Sequence, residues 1–168
     1  MNDAAFSPCG TYRYWLCRYL AAQPKSADGW TRILWVMLNP STADCTVNDP
    51  TIKQCMAFST LWGFDAMDVV NLYALRSTDP RGLDAVPEPV RIGRDNDTWT
   101  VKKAADANMI VCAWGANKHA PPRARYVVND LLRPFMPLFC LGQTVKGMPW
   151  HPLYRPHDLQ PKTWSMPV

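Results

Sequence analysis

The 168-residue chain lacks the common signatures of metal and phosphate-loop enzymes. Its six cysteines (Cys9, Cys17, Cys45, Cys55, Cys112 and Cys140) form no C-x-x-C pair and no zinc or iron–sulfur spacing. There is no Gly-rich phosphate loop, no H-E-x-x-H and no G-x-S-x-G, which argues against NTPase, zinc-protease and esterase chemistry. No apolar run approaches the roughly 20 residues of a membrane helix, and no basic segment leads into an apolar core at the N-terminus. The chain is therefore expected to be cytoplasmic, with reduced thiols and no membrane partner. Charge is sparse, at 19% of residues, while 48% are apolar, which excludes a disordered chain. The net charge of +4 permits a polyanionic partner without demanding one.

What is present reads as one domain over residues 1–168, long enough to bury a real core. Residues 1–10 look loosely ordered, 12–20 suit an edge strand, and 23–29 form a loop. Residues 33–38 are a continuous apolar run, the mark of a strand covered on both faces. Asp49 suits a helix N-cap and Pro50 the first helical position, with the helix running to about 62 and stopping at Gly63. A second buried strand follows at 67–72, and 77–94, with three prolines and two glycines, is a long irregular connection. A helix at 95–107, a strand at 109–114, a helix at 123–132 and a strand at 138–141 complete the pattern. The end, 156–168, reads as an irregular tail. Apolar strands alternating with helices predict an α/β fold with a mostly parallel central sheet and helices on both faces.

In an open α/β sheet, ligands bind beyond the carboxyl ends of the strands. Four strand ends therefore converge. The first delivers Asn39, Ser41, Thr42 and Asp44; the second Asn71, Tyr73 and Arg76; the third Gly115, Asn117, Lys118 and His119; the fourth Gln143, Thr144, Lys146 and His151. Amides offer donors and acceptors together, which suits the edge of a heterocyclic base. Histidine can donate to a developing negative charge, and Asp44 could orient or deprotonate water. Each residue also has a plainer reading. Asn39 before Pro40 is an ordinary turn initiator, Asn71 could satisfy loop carbonyls, and His151 could brace a loop. Asp49 reads as a helix start, Asn96 and Asp97 as caps, and His119 and His157 as solvated. Trp35 and Trp114, inside strand runs, read as core.

Met37-Leu38-Asn39-Pro40-Ser41 resembles the first motif of the uracil-DNA glycosylase superfamily, specifically its mismatch-specific branch. His151-Pro152 resembles the second motif, and Val69-Val70-Asn71-Leu72 resembles the strand whose asparagine reads the base edge. The whole pattern is similar to a family of uncharacterised bacterial and phage domains, through the blocks LNPSTAD, DPT, WGF, VVNLYALRSTDP, DND, AWG, CLG and G-x-P-x-HPLY over about residues 12–155. The glycosylase resemblance implies a three-layer α/β/α sandwich and assigns roles by position. Asn39 would place the attacking water, His151 would hydrogen-bond the departing base, and Asn71 would read it. Phe58 or Trp62 would stack on an extruded base, and Leu153 or Tyr154 would fill the vacated stack. Ser41 stands where family-one enzymes carry the tyrosine that screens out the thymine methyl, and Asp44 is a second candidate base. Arg76, Lys146, Tyr154 and Arg155 are candidates for contacts to DNA or phosphate.

The expected activity is a monofunctional, metal-independent DNA glycosylase, with no cofactor, acting on an unusual or modified base in repair or phage defence. Its expected partner is DNA, a nucleotide or a nucleobase, and the expected state is a monomer. Two other readings stand beside it: a base-binding module without catalysis, and an enzyme acting on free nucleosides or nucleotides.

Overall fold

The computed structural model describes residues 2–41, 43–77 and 79–167. Among them, seven strands form one mixed sheet in the order β1-β2-β4-β3-β5-β6-β7. The strands are β1 (Asn2–Phe6), β2 (Arg13–Tyr19), β3 (Arg32–Met37), β4 (Ala66–Asn71), β5 (Met109–Cys112), β6 (Leu138–Cys140) and β7 (Lys162–Trp164). β4, β3, β5 and β6 run parallel, whereas β1 and β2 on one flank and β7 on the other join antiparallel. The helices are α1 (Pro50–Leu61), α2 (Glu88–Ile92), α3 (Asn96–Ala105) and α4 (Ala120–Tyr126), the last extended by a π-helical turn at Val127–Leu131. No helix among the described residues is long and apolar enough to cross a membrane.

Alternation along each strand sends successive side chains to opposite faces. Leu34 and Val36 of β3 join Val70, Ile110 and Cys112 in a core completed by Ala104, Ala124 and Val128 from the helices. Ile33, Trp35 and Met37 join Met67, Val69 and Val111 in a second core, closed by Ile52, Cys55 and Phe58 of α1. Apolar partners on both sides explain why the strand runs are continuously apolar. Helix α1 starts where Asp49 Oδ1 accepts the Ile52 amide at 2.8 Å with Pro50 in the first turn. It ends before Gly63, whose φ of 85° takes the left-handed conformation that a helix stop needs.

The connections set the site. From β3 the chain passes through α1 to β4 on one side. From β4 it returns through α2 and α3 to β5, on the other side of β3. The winding reverses at β3, so a crevice opens between the carboxyl ends of β3 and β5.

Four expectations are corrected. Within the segment 1–10, Asn2–Phe6 is not loose: it forms β1, paired from Asn2↔Arg18 to Phe6↔Arg13. β2 is consequently not an edge strand, because β1 covers one side and β4 the other. The tail is not wholly irregular, because β7 pairs with β6 and sets Trp164 edge-on against Trp114, with centroids 5.3 Å apart. Asn96 and Asp97 do not cap the helix they begin. Asn96 Nδ2 donates to the Asn71 and Leu72 carbonyls at 2.9 and 3.1 Å, and Asp97 pairs with Arg123. In each case main-chain pairing or a tertiary partner overrides weak local propensity.

At the opposite end of the parallel strands, the buried Asp65 begins the approach to β4. Burial alone would raise its pKa. The Thr31 hydroxyl and amide, at 2.8 and 3.1 Å, and the Lys25 amide outweigh burial and hold it lowered to about 2. The folded value lies below the unfolded value of about 3.9. The contribution is therefore present above about pH 4 and lost as pH falls through about 2. Asp65→Asn should lower stability at neutral pH and flatten the fall in stability between about pH 4 and pH 2, as measured by urea unfolding across that range.

Candidate functional site

A cavity of about 450 Å³ occupies the crevice beyond the carboxyl ends of β3 and β5, within the roughly 300–1,000 Å³ typical of small-molecule sites. It brings together Asn39 and Ser41 from the β3 loop, Asn71 from the end of β4, and His151 from the segment after β6. These four, more than a hundred residues apart at the extremes, line the same cavity. Thr42 lies outside the described residues.

Each side chain is held differently. Asn39 Nδ2 donates to the Pro40 and Ser77 carbonyls at 3.2 and 3.1 Å. Two carbonyl acceptors fix the orientation of the amide, and its Oδ1 accepts no hydrogen bond among the described residues. Asn71 is only 2% exposed, and neither its Nδ2 nor its Oδ1 has a partner among the described residues. An unpaired buried polar group costs about 1–3 kcal/mol. A donor and an acceptor left unused in a cavity wall are therefore the site's most costly feature, and they suit a ligand that supplies both complements. The indole N–H of Trp114, in the same wall, is also buried and has no partner among the described residues.

His151 reaches the cavity through the turn at 143–149, in which the Thr144 amide donates to the Met148 carbonyl at 2.8 Å and the Gly115 amide to the Pro149 carbonyl at 3.1 Å. The Leu153 amide donates to Nδ1 at 3.2 Å, so the neutral ring carries its proton on Nε2. Burial pulls the imidazole below its ordinary 6.5, opposed by the Asp49 carboxylate and reinforced by Arg155. The ring is neutral at pH 7, with Nε2–H as its donor.

The remaining candidates lie elsewhere. Asp44 does not line the cavity: its Oδ1 accepts the Thr46 and Val47 amides, both at 2.8 Å, and those bonds lower its pKa. Phe58 is fully buried in the core, and Trp62 stacks on Trp35 at 5.7 Å while its N–H donates to the Leu159 carbonyl. Arg76 donates to the Gly10 carbonyl and sits over the Phe6 ring. Arg155 lies over Trp150 at 4.2 Å and bonds the His151 carbonyl, bracing the loop that carries the histidine. Lys146 is exposed on the 143–149 turn. Tyr154 is 91% exposed with φ at 63°, beside Leu153, which does line the cavity. His119 is not solvated. Its ring is held between Asp84 and Arg91 Nη1, the latter 2.8 Å from Nδ1.

The cavity also contains Asn117, named among the strand-end residues, and four residues not counted toward the site: Arg13, Asp49, Ser77 and Trp114. Asp49 is the helix cap expected of it and also the carboxylate of the cavity wall. Arg13, on β2, is 2% exposed. The available signal was two arginines, Arg13 and Arg18, interrupting an otherwise apolar and aromatic strand. Among the described residues no group of three His, Cys, Asp or Glu side chains is placed to hold a metal ion.

Gly115 packs closely against His151. It has φ of 75°, and a Cβ there would stand 3.2 Å from the Cβ of His151. Gly115→Ala should destabilise by about 1–2 kcal/mol through its left-handed backbone. It should also push His151 toward solvent, so that the ring's titration, followed by NMR, moves up toward the ordinary value.

No curated protein and no solved structure matches the chain. Residues 13–153 match a family described as a protein of unknown function, DUF1643. That span starts at the cavity's arginine and ends two residues beyond its histidine, taking in every residue that lines the cavity. The chain belongs to the DUF1643 family.

Proposed function

We propose that the protein is a glycosidase of the DNA glycosylase type, hydrolysing the bond between an unusual or modified base and its sugar. In this reading the sheet and its two flanking helical cores make a three-layer α/β/α sandwich like that of the uracil-DNA glycosylases. The observation that carries it is the buried, unpartnered Asn71 amide, in one cavity with Asn39 and His151.

The chemistry follows from the free atoms. Asn39 Oδ1 accepts from a water and aims it at the anomeric carbon. As the new C–O bond forms, the C–N bond breaks and its electron pair leaves with the base. The Nε2–H of His151 hydrogen-bonds that developing negative charge, and the Asn71 amide reads the base edge with one donor and one acceptor. Asp49 takes the role first considered for Asp44, receiving the proton the water loses; Ile52 occupies only part of its carboxylate. Trp114 and Leu38, rather than Phe58 or Trp62, give the base its apolar wall. Tyr154, exposed beside Leu153, is positioned to meet a strand at the rim.

Oligonucleotides carrying uracil, hypoxanthine, a thymine mismatch, hydroxymethylcytosine or glucosylated hydroxymethylcytosine should yield alkali-labile abasic sites for at least one base. Silence across that set would overturn the reading. Asn39→Ala should lower base release by about 10²-fold or more, the scale for losing one positioned polar group. Asn71→Leu should abolish release while raising stability by about 1 kcal/mol or more, because it removes two unpaired buried groups; chemical denaturation measures the second effect.

A further inference from the structure

We propose that the cavity binds a phosphate group, docked on the guanidinium of Arg13 beside the start of α1, so that its ligand is a nucleotide and not a bare base or nucleoside. The nucleotide identity rests on the glycosidase reading, whereas the phosphate site rests on its own geometry.

Arg13 lines the cavity and is 2% exposed. Its Nη1 donates to the Ala43 carbonyl at 2.7 Å, and its Nε is buried without a partner among the described residues. It makes no ion pair among the described residues. The charged groups that face it are one carboxylate, Asp49, and two further cations, Arg76 and Arg18. Asp49 is pinned at the helix start by the Ile52 amide. A buried charge is costly until it is paired and its hydrogen bonds are filled, and here the surroundings hold an excess of positive charge. Burial pulls the guanidinium down to about 10, yet it stays charged at pH 7. An anion completes it.

The helix start adds to this. Pro50 has no N–H, the Ile52 amide goes to Asp49 Oδ1, and the Lys53 amide goes to the Asp49 carbonyl. The Thr51 amide makes no hydrogen bond among the described residues, and Thr51 lines the cavity. An amide with no partner among the described residues at the positive end of a helix, and a buried guanidinium whose Nε is unpaired, line one cavity and are the kinds of donor that take phosphate oxygens. Asn71, in the same cavity, leaves the ligand's other end for a base.

The test uses probes that need no knowledge of the base: 2-deoxyribose 5-phosphate, 2-deoxyribose and inorganic phosphate, titrated calorimetrically into the full chain. The sugar phosphate should bind at least tenfold more tightly than the sugar, and inorganic phosphate should displace it. Arg13→Gln should erase that difference, whereas Lys102→Gln, exposed on α3 outside the cavity, should preserve it. Equal binding of sugar and sugar phosphate by the parent, or no binding of either, overturns the proposal. So does a preference that persists in folded Arg13→Gln. Should Arg13→Gln not fold, Arg13→Lys decides, since it keeps the charge and removes the fork: at least a fivefold loss of the preference supports the site, and an unchanged preference overturns it. An oligonucleotide with one abasic site that competes more strongly than the sugar phosphate places the phosphate in a strand; weaker competition places it in a free nucleotide. Base release untouched by Arg13→Gln would remove the phosphate site alone. Arg13-dependent phosphate binding without base release from any oligonucleotide would remove the glycosidase reading alone.

Discussion

Two buried arginines of β2 hold the front of the cavity in place by binding main-chain carbonyls. Arg13 donates to the Ala43 carbonyl, and Arg18, fully buried, donates to Asn48 Oδ1 at 2.6 Å and to the Asp44 and Val47 carbonyls. The loop from β3 to α1 has little regular structure of its own, so these contacts decide its path. The same path puts Asn39 and Ser41 at the end of β3, turns Asp44 outward into its own local turn, and sets Asp49 at the start of α1 facing the cavity. Carbonyls satisfy hydrogen bonds but not charge. The two guanidiniums therefore organise the loop and leave the region electropositive.

The back of the cavity is held by amides. Asn96 of α3 donates to the carbonyls of Asn71 and Leu72, and Arg123 of α4 donates to Leu72 at 3.0 Å. The helices packed on one face of the sheet thus fasten the backbone at the end of β4 while leaving the Asn71 side chain unused. His151 is set by a third arrangement, the tight approach over Gly115 and the brace from Arg155. Three independent supports meet at one enclosure, which is why its polar groups can remain unpaired in a stable fold.

Much of this was legible in the residues. The apolar runs at 33–38, 67–72, 109–114 and 138–141 became the four parallel strands, because a strand covered on both faces needs apolar side chains in both directions. The rule that ligands sit at strand ends grouped Asn39, Asn71 and His151, and the three line one cavity. β1 and β7 were not legible, since their short segments, NDAAF and KTW, carry almost no pattern and exist as strands through main-chain bonds to β2 and β6. Phe58 and Trp62 looked like candidates for stacking on a base because they are aromatic and near the first motif. Helical phase turns them toward Trp35 instead.

Local periodicity and backbone preference were enough to place the four parallel strands, the start of α1 at Asp49-Pro50 and the polar residues that leave the strand ends, though not β1, α2 or β7. Tertiary structure alone decided which carboxylate faces the cavity and which arginine lies beneath it. Asp44 and Asp49 are both acids in one polar loop, and Arg13 and Arg76 are both cations beside strands. Only the packing of β2 against that loop gives Asp49 and Arg13 a place in the wall while Asp44 and Arg76 find partners outside it. Burial and pairing belong to the assembled sheet, and no single segment encodes them.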